Sequence, residues 1–166
     1  MLSVELQSAI ANLKINDVYI DKIDAVVTDR SFNFDEQKFD IEHKFGVKAF
    51  ELKDLQEQKA VCFSFEAGVR WLSSPKRSNE TDDDKDQQVI ARIECVIVGC
   101  YLMKELVSEE ALREFAIKNC GFHVWPYWRE FLTSQSERLR LPRVMLPITQ
   151  FQALNDGEPK KSGTSN

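Results

Sequence analysis

Three long stretches of this sequence alternate apolar with polar residues, and this period of two constrains the fold more than any other feature. The stretches cover residues 38–51, 60–72 and 89–103. Because successive side chains of a strand point to opposite faces, each stretch predicts a strand with one apolar and one wetter face. That pattern is typical of antiparallel sheets. An earlier stretch, residues 18–34, is rich in strand formers, but its apolar residues occur at both odd and even positions. This pattern predicts a fourth strand with a bulge.

The alternation also assigns side chains to faces. In the first regular stretch, the apolar set consists of Phe39, Ile41, His43, Phe45, Val47 and Ala49. We therefore interpret His43 as a core or interface histidine rather than as a catalytic base.

Helical spacing occurs before and after the strands. Residues 2–15 predict a short amphipathic helix with Ser3 as its N-cap. After the strands, Ser108 predicts the N-cap of a second helix, which Gly121 is expected to close in the left-handed conformation. Pro126 then predicts the first turn of a third helix.

An apolar extended segment and a polar tail complete the chain. Residues 144–151 are mostly apolar and are interrupted by Pro147, whereas residues 156–166 hold no aromatic or aliphatic side chain. The second of these segments predicts a flexible tail. Helices grouped after the strands are typical of the α+β class. We therefore predict a single α+β domain over residues 1–155, followed by the tail.

Composition excludes several classes of function. The 166 residues carry a net charge of −5 and have a pI near 5.2, so the chain has no basic field that would attract nucleic acid. No apolar run reaches the ~18 residues that a membrane span needs, and the first residues lack the pattern of a signal peptide. We expect a cytoplasmic protein with no nucleic-acid partner and no membrane insertion.

The cysteines predict neither a metal site nor a disulfide framework. They are Cys62, Cys95, Cys100 and Cys120. No two of them form a C-x-x-C pair, and we predict four buried, reduced thiols. The only metal-like spacing joins Cys120 to His123, which supplies two ligands where a structural zinc ion needs four.

Catalytic patterns are equally scarce. The chain has two histidines and no phosphate-binding, hydrolase or metalloprotease motif. We predict that the protein is not an enzyme and that it needs no cofactor.

Aromatic residues and prolines form a recognisable pattern late in the chain. Its members are Trp125, Pro126, Tyr127, Arg129, Glu130, Pro142, Pro147 and Phe151. The pattern resembles the signature of the SecB family of export chaperones, in which an aromatic-Pro-Tyr-x-Arg-Glu helix start precedes a Pro-containing stretch and a terminal x-Pro-x-x-Phe. The specific part of the resemblance covers residues 125–151, and a looser part extends back to residue 17. These residues are expected to have structural roles.

The resemblance implies a SecB-like fold, in which two helices follow a four-stranded antiparallel sheet, and here helix 2–15 is an addition. It implies a homotetramer, a dimer of dimers, that holds non-native polypeptides without ATP. Clients of such proteins lie in hydrophobic grooves that are floored by sheet and helix residues and roofed by an aromatic crossover between the first two strands. The client-binding residues that follow from this likeness are Phe32, Phe34, Leu132, Val144, Met145 and Leu146.

The likeness leaves the biological role open. Export members of the family end in a metal-binding Cys/His tail that contacts the SecA motor, and residues 157–166 contain neither residue type. The resemblance therefore does not extend to the SecA contact. SecB-like relatives also serve toxin–antitoxin systems by shielding an unstable antitoxin, so the client is either an unfolded polypeptide in export or an antitoxin. The alternative function is a non-chaperone adaptor that binds one dedicated partner.

Overall fold

A four-stranded antiparallel sheet with the strand order β1-β4-β3-β2 forms one layer of the structure. The computed structural model describes residues 2–55, 57–74 and 87–148. The strands are β1 (Leu13–Val27), β2 (Phe39–Leu55), β3 (Gln58–Ser73) and β4 (Val89–Met103). Four strands are present as predicted, and β4 has the predicted bounds. The bounds predicted for the first strand, residues 18–34, were wrong: β1 begins at Leu13 and ends at Val27, because residues 28–34 leave the sheet as a turn-containing connection. Phe151 and the tail of residues 156–166 lie outside the described residues.

The irregularity predicted for the first strand is confirmed. In the pairing of β1 with β4, the register shifts between Ile15 and Asp17 and again between Ile20 and Lys22. Each bulge exchanges the faces of the residues that follow it. The second bulge lies within the stretch of residues 18–34 and explains why apolar residues occur there at both odd and even positions.

A bulge in β2 corrects one predicted face assignment. The register with β3 shifts between Val47 and Ala49, so that Phe50 lies opposite Phe63, with the ring centroids 5.9 Å apart. Phe50 is consequently half-buried on the apolar face, whereas Ala49 is exposed. The placement of Ala49 on the apolar face was wrong because one extra residue inverts the alternation.

The N-terminal helix is shorter than predicted. Helix α1 spans Val4–Asn12, and Leu13 already begins β1. The predicted cap is confirmed, because the Ser3 hydroxyl oxygen accepts a hydrogen bond from the backbone N–H of Leu6 at 3.1 Å. The same hydroxyl donates to the Glu114 carboxylate, which fixes α1 against the next helix.

The two predicted C-terminal helices form one continuous helical segment. It consists of α2 (Glu109–Phe115), a π-helical turn (Ala116–Cys120) and α3 (Gly121–Leu139). Gly121 has ordinary right-handed helical dihedral angles, φ −53° and ψ −38°. Pro126 lies inside α3 rather than at its start. The predicted break between Gly121 and Pro126 was therefore wrong.

The apolar stripe of this segment explains its continuity. Its buried members include Leu112, Phe115, Cys120, Val124, Trp128 and Leu132, and they cover one face of the sheet. Helices in proteins are stabilised mainly by packing of such a face rather than by local propensity. The left-handed closure occurs at Arg140, with φ 57° and ψ 45°, and the Leu141 N–H donates to the Ser136 carbonyl at 2.9 Å, as in a Schellman motif.

The cysteines correct a further prediction. Cys62 and Cys100 are direct partners in the register of β3 with β4, and they form a disulfide. They lie on the sheet face away from the helices, in a small cluster with Val98. Cys95 and Cys120 are free, buried thiols, as predicted. The expectation for Cys62 and Cys100 failed because their pairing depends on the register between two strands, which sequence spacing does not reveal.

Among the residues that the structure describes, no helix combines the length and the apolar character that spanning a membrane requires.

Candidate functional site

The segment that joins β1 to β2, together with the first residue of β2, carries a cluster of three aromatic rings. We call residues 28–38 the crossover, because they pass across the end of the sheet over β4 and β3. Phe32 and Phe34 stack edge to face with ring centroids 5.0 Å apart, and Phe34 meets Phe39 at 5.1 Å. All three rings, here named the crossover cluster, are half-buried and pack against the main core. The structure thus brings the two predicted aromatic client residues together.

The crossover is tied to the rest of the molecule at three points. At its start, the Thr28 N–H donates to the Ile90 carbonyl at 2.8 Å. At its end, the Ser74 N–H donates to the Lys38 carbonyl at 3.3 Å. Between them, the Arg30 guanidinium donates to the Leu139 carbonyl at 2.9 Å, at the end of α3 where the helix dipole favours a cation.

Between these three attachment points, the side-chain hydrogen bonds of the crossover are local and form turns within the segment. Asp29 accepts hydrogen bonds from the Ser31 N–H at 2.9 Å and the Ser31 hydroxyl at 2.6 Å. These bonds to its charged form lower the pKa of the Asp29 carboxyl. The Asn33 side chain accepts from the Asp35 N–H, and the Gln37 side chain accepts from the Asn33 N–H. Such side-chain turns shape the segment without attaching it to the core.

The chain beyond α3 runs back along that helix in an extended conformation. Val144 and Leu146 are half-buried against the core, whereas Met145 between them is 88% exposed. The Trp125 indole N–H donates to the Pro147 carbonyl at 2.9 Å, which fixes the far end of the segment. The three apolar residues predicted to contact clients therefore divide between two faces.

An open groove of about 540 Å³ lies between this segment and the outer face of α3. Pro126, Arg129 and Glu130 line its helical side, and Val144, Met145 and Leu146 line the other. These are members of the predicted signature and of the predicted client set.

The remaining signature residues have different surroundings. Trp125 is buried and contacts Phe45 edge to face at 4.9 Å. Tyr127 is 46% exposed, and Pro142 is half-buried just after the helix end. Trp125 thus joins the edge strand β2, the helix and the C-terminal segment, in agreement with a structural role.

Leu132 was predicted to contact clients, and the structure places it elsewhere. Its side chain is 1% exposed and belongs to the stripe of α3 that covers the sheet. No client can contact a side chain so deeply packed without rearrangement of the core. The candidate surface therefore consists of the crossover cluster and the groove beside Met145, without Leu132.

Two buried polar atoms were missed by the sequence reasoning. Within the described residues, the indole nitrogen of Trp71 and the hydroxyl oxygen of Ser136 are buried and have no hydrogen-bond partner. Ser136 lies four residues after Leu132 on the apolar stripe, so a polar residue at a core position was the available signal. Trp71 gave no such signal, because it falls on the apolar face of the alternating stretch, where a large aromatic residue is expected.

The opposite face of the sheet carries paired charges. Glu66 accepts from Lys44 at 2.5 Å and from Lys48 at 3.1 Å, and these hydrogen bonds lower the pKa of its carboxyl. Arg70 donates to Glu94 at 2.7 Å. Such half-exposed pairs contribute little to stability, but they keep this face hydrophilic.

The free thiols are poorly suited to nucleophilic chemistry. Burial raises the pKa of Cys95 and of Cys120 to about 12, whereas reactive thiols have a lowered pKa. The Tyr101 hydroxyl bonds the Nδ1 atom of His123 at 2.7 Å, and burial raises the pKa of that hydroxyl. In residues 2–55, 57–74 and 87–148, no group of three or more His, Cys, Asp or Glu side chains could hold a metal ion.

Comparisons with known proteins identify the fold. No family model matches the chain, and no curated protein sequence matches it. The sheet, its topology and the helical segment are those of the SecB-like fold, which confirms the predicted fold class. One similar solved structure is the SecB-like chaperone Rv1957 of Mycobacterium tuberculosis, in complex with a ChAD peptide from the antitoxin HigA1 (Rv1956). The two chains superpose with a TM-score of 0.70 at 18% identity, over 89% of this chain and 98% of the other.

Proposed function

We propose that this protein is a member of the SecB-like chaperones and holds non-native polypeptides without ATP. The observation that carries the proposal is the crossover cluster, an aromatic surface held over the end of an apolar sheet by few polar ties. The likeness of the fold to a chaperone that was solved with an antitoxin peptide supports it. An antitoxin segment is accordingly the favoured client, and an unfolded polypeptide in export is the other.

The physical basis of holding is burial of apolar side chains. A non-native chain presents apolar residues to water, and burial of a Phe-sized side chain contributes about 1.5–3 kcal/mol. The half-buried rings of Phe32 and Phe34 and the exposed Met145 supply apolar area on the protein's side. Several weak contacts along one chain add up through multivalency. No nucleotide is needed for such binding.

Exposed apolar residues elsewhere support self-association into the proposed homotetramer. Ile15 and Ile23 of the edge strand β1 are 45% and 60% exposed. Ile117 and Phe122 of the helical segment are 48% and 50% exposed. Exposed apolar residues mark sites of association where they form a contiguous patch, and we propose that these residues contribute to such patches.

The proposal assigns the chain no catalytic step. Its support is chemical: the two free thiols have a raised pKa, and the two histidines have a pKa lowered by burial. Neither pair is poised as a nucleophile with an adjacent base. The expected cytoplasmic location stays a prediction, and the disulfide between Cys62 and Cys100 speaks against it, because such bonds are rare in the reducing cytosol.

The test is suppression of aggregation. A chemically denatured, slow-folding protein is diluted into buffer without nucleotide, with or without near-stoichiometric amounts of this protein, and light scattering is recorded. We expect suppression by the wild type. The double variant Phe32→Asp/Phe34→Asp should hold the client more weakly by a factor of about 30 or more, because two apolar contacts are replaced by charges.

A matched control separates loss of the cluster from added charge. Lys38→Asp changes the net charge by the same amount as the double variant and alters an exposed residue of the same crossover. This control should hold clients as the wild type does, and multi-angle light scattering should give the same oligomer for all three proteins. Undiminished holding by a folded double variant would remove the crossover cluster from the site. No suppression by folded wild type would refute the general holdase and favour an adaptor with one dedicated partner.

A further inference from the structure

Three exposed arginines lie where the crossover meets the end of α3. The Arg30 guanidinium donates to the Leu139 carbonyl at 2.9 Å, and Arg138 and Arg140 flank Leu139 in the chain. Because consecutive Cα atoms are about 3.8 Å apart, this hydrogen bond places the Arg30 guanidinium close to the backbone of both flanking arginines. We call Arg30, Arg138 and Arg140 the arginine cluster.

Neighbouring carboxylates do not neutralise the arginine cluster. Within residues 2–55, 57–74 and 87–148, none of its three members forms an ion pair. The acidic residues next to the cluster in the chain have partners of their own. Glu137 pairs with Arg143 at 2.5 Å, and Asp29 accepts hydrogen bonds from the Ser31 N–H and hydroxyl. In a chain whose net charge is −5, this end of α3 is therefore a local site of excess positive charge.

Compensation of the helix dipole accounts for only part of the arginine cluster. The C-terminal end of a helix favours cations, and Arg138 and Arg140 lie in the last turn and at the cap of α3. Arg30 comes from a different element, the crossover. Its hydrogen bond to Leu139 uses one N–H of an exposed guanidinium, so other N–H groups of that side chain are available to a carboxylate.

The arginine cluster lies beside the crossover cluster. Phe32 follows Arg30 by two positions, a span of at most ~7 Å. Beyond the rings of Phe32 and Phe34, the crossover carries Asp35 and Glu36, both exposed, before it joins β2. Lys38 is the one cation of that part of the crossover. The aromatic surface therefore has a basic end at α3 and an acidic end towards β2.

We propose that the arginine cluster binds an acidic stretch of the client, next to the apolar side chains that the crossover cluster holds. A guanidinium pairs with a carboxylate through parallel, charge-assisted hydrogen bonds. This inference rests on the proposed function and adds to it a charge preference and a direction of binding, with the acidic residues of the client towards α3. A polypeptide is favoured over a nucleic acid, because the net charge of −5 repels an extended polyanion, whereas a client needs only a few carboxylates.

The experiment compares synthetic peptides that share one apolar segment of phenylalanine, leucine and valine. The flank of this segment is a run of aspartates, asparagines or lysines, and each Kd is measured by titration calorimetry. The wild type is expected to bind the aspartate peptide about tenfold more tightly than the asparagine peptide, because several exposed ion pairs act together. This preference should shrink as salt is added, since exposed charges are screened.

The test variant is Arg30→Gln/Arg138→Gln/Arg140→Gln, which removes the charges and keeps a hydrogen-bond donor at each position. Its preference for the aspartate peptide should fall below about twofold. If the triple variant does not fold, the single substitution Arg138→Gln at an exposed position should reduce the wild-type preference by about twofold.

The matched control is Lys14→Gln/Lys59→Gln/Lys104→Gln. It removes the same charge from exposed positions at the opposite end of the sheet. The control should keep the preference of the wild type. Loss of the preference in the control as well would assign it to net charge and overturn the inference.

The remaining outcomes separate the inference from the proposed function. Equal Kd values for the aspartate and asparagine peptides with the wild type, or tighter binding of the lysine peptide, would overturn the inference and leave the proposed function standing. So would a preference that survives in the triple arginine variant while its urea midpoint falls, because the arginines then only compensate the helix dipole. Tighter binding of an oligothymidylate than of the aspartate peptide would assign the surface to nucleic acid. If no peptide binds the folded wild type, the inference is overturned, and suppression of aggregation alone decides the proposed function.

Discussion

The disulfide between Cys62 and Cys100 joins the two central strands of the sheet, and its reduction is expected to destabilise the fold. The two residues are direct cross-strand partners on β3 and β4, and both are nearly inaccessible, with 4% and 5% of their surfaces exposed. A reductant that reaches them converts the bond to two thiols while the neighbouring strand pairs stay in register. The native contacts change little, so the effect acts mainly on the unfolded chain.

The magnitude follows from the length of chain that the bond encloses. Cys62 and Cys100 are separated by 38 positions, and closure of a loop of that length lowers the entropy of the unfolded chain by an amount worth about 4 kcal/mol. For a protein of this size, 1 kcal/mol corresponds to a shift in Tm of about 2–4 °C. The reduced protein should therefore unfold about 8–16 °C below the oxidised one.

Differential scanning calorimetry at one protein concentration, with and without dithiothreitol, measures this shift. Alkylation in denaturant followed by mass spectrometry counts the thiols, and we expect two of the four cysteines to react before reduction. The variant Cys62→Ala/Cys100→Ala is the control, because its Tm should not respond to the reductant. Four reactive thiols in the unreduced protein, or a shift in Tm below about 2 °C, would refute the reasoning.

Two further perturbations test the packing and the electrostatics. Gly99→Ala should lower the free energy of unfolding by about 1–3 kcal/mol, because the new Cβ atom would lie 3.1 Å from the Cys120 sulfur. The control Gly46→Ala has open space around the new Cβ atom and should change the free energy of unfolding little. Equal urea midpoints for the two variants would contradict this prediction. Burial lowers the pKa of His43, so the unfolded chain binds the proton more readily, and the stability present above about pH 6.5 should decline as the pH falls through the window below that value. His43→Gln should show a smaller decline in urea midpoint between pH 7.5 and pH 5.5, and an identical decline would exclude His43 as its source.

Local patterns determined much of the fold. The alternation over residues 89–103 predicted the bounds of β4, because the period of two is a property of the strand itself. Ser3 and Ser108 were predicted as N-caps, and each side chain accepts the capping hydrogen bond, because that bond joins residues three positions apart. The aromatic and proline pattern near Trp125 suggested the SecB-like fold before any tertiary contact was known.

Tertiary structure decided where local signals compete. Gly121 is a residue type that often ends a helix, and Pro126 is one that often begins a helix. The segment nevertheless stays helical through both, because an unbroken apolar stripe packs on the sheet. The same stripe buries Leu132, which the family resemblance had placed among the client-binding residues. Residue type reports that a side chain is apolar, whereas its accessibility depends on what lies opposite it.

The candidate site divides in the same way. The residue pattern by itself placed Phe32 and Phe34 at the end of the first strand, and only the family resemblance placed them in a crossover between two strands; the sequence did show that apolar residues follow the last helix. Only the tertiary structure decided that Cys62 faces Cys100 and that Met145 points away from its two apolar neighbours. It also decided that Ser136 and Trp71 are buried with no hydrogen-bond partner among the described residues. The physical reason is that register, burial and hydrogen-bond satisfaction are relations between distant segments, whereas periodicity and capping are relations between near neighbours.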